Sequence, residues 1–93
     1  MHTVEHDMAN KRFLIRVKGR TAAEMTYVTS SPELSIIDHT LVNHDYRGQG
    51  LGDKLVKAMV EYARENGIKI IPLCPFAKAQ FERHSDYADV FNK

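Results

Sequence analysis

The segment Asp45-Tyr46-Arg47-Gly48-Gln49-Gly50-Leu51-Gly52 constrains this chain more than any other, because it joins an apolar run ending near Val42 to an amphipathic run from Leu51 to Asn66. That order reads as strand, glycine loop, helix. Glycines at alternate positions admit φ values closed to other residues, and they let successive backbone N–H groups point into one concavity. The helix that follows adds its unsatisfied N-terminal donors and the positive end of its dipole. A phosphate or pyrophosphate suits such a place.

Two commoner phosphate loops do not fit. A Walker loop needs G-x-x-x-x-G-K-[ST], but Asp53 follows Gly52 and no hydroxyl is set for magnesium. A dinucleotide fingerprint counted from Gly48 needs its third glycine where Asp53 stands, and 93 residues are too few for a full dinucleotide fold. An ordinary glycine-rich turn between strand and helix is the plain alternative.

Ninety-three residues with 43% hydrophobic content suit one small core. The formal charge of +1 gives none of the broad basic field, and no basic-aromatic cluster, that nucleic-acid binders show. Cys74 is the only cysteine, so no internal disulfide can form. No apolar segment approaches the roughly 20 residues of a membrane span, and the first ten residues lack the apolar region of a signal peptide. A cytoplasmic protein is expected, with no membrane or nucleic-acid partner.

Residues 1–11 show no sustained period and read as a flexible lead-in to a single domain over 12–93. His2 and His6 are four apart, but without a third ligand they read as a solvated tail and no metal site is expected. From Phe13 to Val17 apolar residues alternate, Lys18-Gly19-Arg20 makes a turn, and Thr21–Ser30 completes a hairpin. Ser30-Ser31-Pro32 supplies the next turn. Leu34–Val42 is apolar enough for a central strand. Leu51, Leu55, Met59 and Tyr62 then form one helical stripe, opposite a charged face and ahead of an Asn66-Gly67 stop. Ile68–Leu73 returns as a strand parallel to Leu34–Val42, through a right-handed crossover. The expected core includes Phe13, Ile15, Tyr27, Ile37, Leu51, Leu55, Met59, Ile70 and Phe81.

Pro75 suits the first position of a second helix over about Pro75–His84, which makes Cys74 its N-cap. A thiol in the positive end of a helix dipole tends toward thiolate, although a single cysteine is more often an inert core residue. The C-terminal end of a parallel strand beside a glycine loop is where open α/β sheets bind ligands. Histidine is the side chain that most readily takes up a proton near neutral pH, so His39, on the strand next to that channel, is a candidate base, or serves only as a hydrogen-bonded strand histidine. His84 lies about 15 Å from Cys74 along the helix, too far for a Cys–His pair.

Arg47-Gly48-Gln49-Gly50-Leu51-Gly52 resembles the R/Q-x-x-G-x-G/A loop of the GNAT superfamily of N-acetyltransferases. Tyr27, Asp38-His39-Thr40, Ile71-Pro72-Leu73-Cys74-Pro75-Phe76 and His84 with Tyr87-Ala88-Asp89-Val90 extend the resemblance to the small stand-alone GNAT-like proteins of about this length. The resemblance implies a minimal GNAT fold, a mixed α/β sheet whose antiparallel strands lead into a parallel pair, with two helices. It implies acetyl-coenzyme A as cofactor, its pyrophosphate held by Arg47, Gly48, Gln49, Gly50, Leu51 and Gly52. Its pantetheine arm is implied to lie between splayed strands, bonded to backbone near Thr40 and Val42, with Lys78 or Arg83 toward the adenosine end unless these only keep the surface soluble. The amino-terminal helices that usually help bind the acceptor, and much of the region beyond the second helix, have no counterpart here.

Cys74 and His39 are then the residues able to serve in acyl transfer to an amine, Cys74 as acid to departing coenzyme A or as acetyl carrier, His39 as base. The alternative is a coenzyme A-binding module without efficient catalysis, whose partner or sensing role uses the same loop. The acceptor amine, on a small molecule or a protein, is not named by the sequence.

Overall fold

A computed structural model describes residues 2–93. Five strands form one sheet in the order β1(Val4–Asp7), β2(Arg12–Val17), β3(Arg20–Ser31), β4(Leu34–Val42) and β5(Lys69–Pro72). The first four pair antiparallel, and β4 pairs with β5 in parallel. Helix α1(Leu51–Asn66) makes the crossover between that parallel pair, and α2(Pro75–Arg83) follows β5.

Both helices lie on one face of the sheet. Leu51, Leu55, Met59, Ala77 and Phe81 share a single core cluster with Phe13, Ile15, Met25, Tyr27, Ile37 and Ile70 from the strands. Every core residue expected from periodicity is buried. The other face, which we call the outer face, carries the alternate residues Glu24, Thr26 and Val28 of β3.

Local chemistry explains the turns. Lys18 and Gly19 both take positive φ, 52° and 77°, which is the geometry of a two-residue hairpin turn whose twist matches its strands. Gly67 ends α1 at φ 66°, and the Ile68 N–H reaches back to the Ala63 carbonyl at 2.9 Å, capping carbonyls the helix leaves free.

The expected lead-in is corrected by β1, which pairs Val4–Asp7 with Arg12–Ile15. Its turn is held by Asp7, whose carboxylate accepts from the Asn10 backbone and side chain (3.2 and 2.9 Å) and from Arg12 Nε (3.1 Å). His6 takes the place of an apolar residue. Its ring stacks on Phe13 at 4.0 Å, meets Tyr62 edge-on at 4.6 Å, and places Nε2 2.6 Å from Tyr27 Oη. Four residues with one aliphatic side chain carry no period to read, so the strand is invisible until its partners are in place.

At the other edge of the sheet, β5 is covered in part by the end of the chain. Ile70 donates to Val90 and accepts from Asn92 (2.6 and 2.9 Å), and Arg64 pins the same segment through Asp89 (2.7 Å).

Candidate acyl-coenzyme A site

The site begins at one extra residue in β4. Pairing runs from Ser35 to Ile37 in one register and from His39 to Val42 in another, with Asp38 left unmatched between Thr26↔His39 and Tyr27↔Ile37. Such a bulge shifts side chains by one face. Ser35 and Ile37 are buried toward the helices before it, whereas Thr40 and Val42 turn to the helix side after it, opposite Met25 and Ala23. Asp38 and His39 are both left exposed, and His39 faces outward opposite Thr26.

The bulge also re-aims the backbone. Before it, the Ile37 carbonyl accepts from both Leu73 and Cys74 (2.9 and 3.2 Å), and here β5 leaves β4. After it, Asn43 donates to Ala22 of β3 at 2.7 Å, so His39 and Leu41, two and four residues back, share that direction. Thr40 and Val42 therefore direct their N–H and C=O groups into the gap that β5 has vacated. A peptide-like chain can satisfy them there.

The gap opens into a cleft of about 390 Å³, walled by Thr40 and Val42, by Tyr46, Arg47, Gly48 and Gly50, and by Leu51, Gly52, Asp53 and Phe76. A turn of 3-10 helix at His44–Tyr46, capped by Asn43 Oδ1 accepting from Asp45 N–H at 3.0 Å, reverses the chain above it. Arg47 then points its Nε to the Val42 carbonyl at 3.4 Å, across the cleft mouth.

Gly48 and Gly50 sit at φ 82° and 72° with open space where a Cβ would be, so they are required for conformation. Gly52 is required for room. A Cβ there would lie 2.5 Å from Cζ of Phe76, whose ring covers the first turn of α1. The Lys54 N–H already bonds to the Gly50 carbonyl at 3.2 Å, while those of Leu51, Gly52 and Asp53 are the first-turn donors an α-helix leaves unpaired.

Cys74 caps α2, its Sγ 3.5 Å from Ala77 N–H and 3.3 Å from Thr40 Oγ1, with 9% of the residue exposed. Thr40 thus joins Cys74 to the cleft. His39 is not brought to Cys74, because the two side chains stand on opposite faces of the sheet at the same gap. Lys78 is exposed one turn beyond Cys74 and outside the cleft walls, and Arg83 is exposed at the far end of α2. Gln49 turns from the cleft to His2, 3.3 Å away. His84 ends α2 beside Tyr87, a helix length from Cys74.

Three neighbours of the site were not singled out from sequence. Phe76 could have been paired with Gly52 only through the packing of two helices. Asp53 accepts from Gln80 Nε2 at 2.9 Å, and Gln80 is 2% exposed, so a buried amide ties α2 to the first turn of α1. Tyr46 is partly buried against the core beside the loop.

A parallel pair that parts over a glycine-cradled helix start makes a mixed α/β fold with a cleft suited to a ligand that has a peptide-like arm and an anionic group. The model of the GCN5-related N-acetyl-transferase family matches residues 12–90, and the chain belongs to that family. It is similar to Protein NATD1 of Gallus gallus, with 31% identity over 76% of this chain and 66% of that protein, so the chain spans just under two thirds of its relative's length. The solution structure of a GCN5-like protein from Staphylococcus aureus matches with TM-score 0.78 and 40% identity, covering 97% of this chain and 87% of that one. Rv2747 of Mycobacterium tuberculosis, solved with CoA bound, matches at TM-score 0.62 and 17% identity over 81% of this chain and 47% of its own, a likeness of fold alone. Among the described residues no helix is long and apolar enough to cross a membrane.

Proposed function

We propose that the protein is an acetyl-coenzyme A-dependent N-acetyltransferase that acts on an amine, in the cytoplasm, where a thiol such as Cys74 stays reduced. The observation that carries this is the open backbone edge at Thr40 and Val42, which leads directly to the amide cradle of Gly48–Gly52. Donors and acceptors there match a ligand with a peptide-like arm and a pyrophosphate. The amides of Gly48, Gln49, Gly50, Leu51 and Gly52, with Arg47, would hold the pyrophosphate. Thr40 and Val42 would hold the arm, and Lys78 would reach the adenosine end.

When bound, acetyl-coenzyme A supplies an activated acetyl thioester. His39, on the outer face of the gap, takes a proton from the amine on an imidazole nitrogen as the C–N bond forms and the C–S bond breaks. Cys74, on the helix face, gives its Sγ proton to the departing sulfur, oriented by Thr40 Oγ1. On a two-step route Cys74 Sγ would instead bond the acetyl carbon, its proton passing to the leaving sulfur, and the amine would then displace Cys74, its proton passing by way of His39 and solvent to Cys74 Sγ.

A second reading is a coenzyme A-binding module without efficient turnover. It is favoured by the burial of Cys74 and by the absence of a contact between Cys74 and His39 among the described residues.

Mass spectrometry after incubation with acetyl-coenzyme A, with and without amines, separates these readings. Acetylated amine supports the enzyme, an acetyl label on the protein that Cys74→Ala removes supports the two-step route, reduced transfer without such a label supports Cys74 as acid, and binding with neither leaves the module. Gly50→Val is expected to weaken acetyl-coenzyme A binding at least tenfold by calorimetry, since a β-branched residue cannot hold φ 72°. Unchanged affinity in the folded variant removes the loop from the site.

A further inference from the structure

The bulge presents a second side chain besides His39. Asp38 is exposed on the outer face, where its Oδ1 accepts from Thr26 Oγ1 at 2.6 Å. That bond fixes the carboxylate beside the gap but leaves most of its acceptor capacity free. Among the described residues no lysine or arginine pairs with it. Glu24, two residues before Thr26 on the same face, is by contrast already held by Arg12 at 2.6 Å, and Arg12 also binds Asp7.

Beyond Thr26 and His39, the outer face near Asp38 carries exposed apolar side chains, left uncovered because both helices lie behind the sheet. Val28 and Leu41 flank it along the strands, 46% and 53% exposed, and Leu73 beyond the gap is 65% exposed. Past Leu41 the face drops into a groove of about 620 Å³ whose walls include Glu24 and Asn43 but also Arg12, His44 and Arg47, so the cation's place is at Asp38 and not in that groove. An anchored, unpaired carboxylate in an apolar setting at the mouth of the gap has one natural complement, a cation on an apolar stem.

We infer that Asp38 docks the acceptor, which arrives as the ammonium form of an amine whose apolar stem rests on Leu41. This rests on the acetyltransferase reading and adds the charge of the acceptor to it. The docked ammonium first loses one proton to solvent to become the nucleophile; as the C–N bond forms and the C–S bond breaks, a second passes to His39 while Cys74 Sγ protonates the departing sulfur, and Cys74 is reprotonated from His39 through solvent. Asp38 keeps its charge throughout and selects acceptors that carry a positive charge before transfer. Thr26 is a positioning residue acting through Asp38.

The test compares two isomers, benzylamine, charged at neutral pH, and p-toluidine, which is neutral. The wild-type protein is expected to favour benzylamine in kcat/KM. Asp38→Asn should cut the benzylamine-to-toluidine ratio about tenfold through KM, and Thr26→Val about threefold, the size of one charge-assisted contact and of its orientation. If Asp38 only shaped the fold, both isomers would fall together and the ratio would hold, which overturns the proposal. A second arm needs no turnover, so failure of the acetyltransferase reading is seen separately. NMR titration of the coenzyme A-saturated protein with benzylammonium should shift the amides of Thr26, Asp38 and His39, benzyl alcohol should not, and Asp38→Asn should erase the difference. Shifts centred elsewhere, or unaltered by Asp38→Asn, overturn it.

Discussion

The two halves of β4 have similar composition and opposite fates. Leu34–Ile37 pairs on both sides, with β3 and with β5, and buries Ser35 and Ile37. Thr40–Val42 pairs with β3 alone and leaves its other edge to the cleft. Both halves are rich in β-formers, so propensity does not distinguish them. The single unmatched residue between them does, by moving side chains and backbone groups through one phase at once. A central strand becomes, within one residue, an edge made for a ligand instead of another strand. Edges of this kind invite pairing with other chains unless they are covered, and here Arg47, Phe76 and the loop flank it.

Removing Asp38 is the most direct way to break this contrast. The deletion would leave the pairs Thr26↔His39, Met25↔Thr40 and Ala23↔Val42 in phase and remove only the local bend and extra twist with which β4 parts from β5. As the gap narrows, acetyl-coenzyme A binding should weaken by about tenfold or more, in a chain whose circular dichroism still reports helices and sheet. Binding unchanged by the deletion would mean that the bulge does not make the site.

Cutting side chains from each half should sharpen the contrast next. Ile37 is fully buried, and Ile37→Ala is expected to cost about 2–5 kcal/mol in urea unfolding. Leu41→Ala, at a residue 53% exposed, should stay within about 0.5 kcal/mol. Equal costs would show that the open half is packed as tightly as the sealed one.

At the cleft wall, Gly52→Ala drives a methyl into the Phe76 ring and should cost about 1–3 kcal/mol by overpacking. Phe76→Leu in the same chain should recover much of it. Additive losses in the double-mutant cycle would mean that the two positions do not meet.

The smallest effect lies far from the cleft. Burial holds the His6 pKa below its ordinary 6.5, with Asp7 opposing only in part, so near and below pH 6.5 the unfolded chain binds more protons than the folded one. Stability should therefore be full above about pH 6.5 and decline as pH falls toward the lower folded value. His6→Phe should flatten that slope, read from urea midpoints. Asp7, whose pKa is depressed by Asn10 and Arg12, adds stability above its ordinary value of 3.8 that is lost only as pH falls below it.

Much of this molecule is written in local pattern. The stripe of Leu51, Leu55 and Met59, the alternation of Phe13, Ile15 and Val17, the stop at Asn66-Gly67 and the Cys74-Pro75 start each follow from backbone geometry that a few neighbouring residues impose. The glycine loop is legible for the same reason, since positive φ at Gly48 and Gly50 is a local demand. What only the tertiary structure decided depends on partners distant in sequence. β1 exists because His6 finds Phe13, Tyr27 and Tyr62. Gly52 must be small because Phe76 arrives from the other helix. His39 and Cys74 face opposite ways because β4 carries one residue more than β3 requires, and register is a property of two strands, which no single stretch of residues can specify.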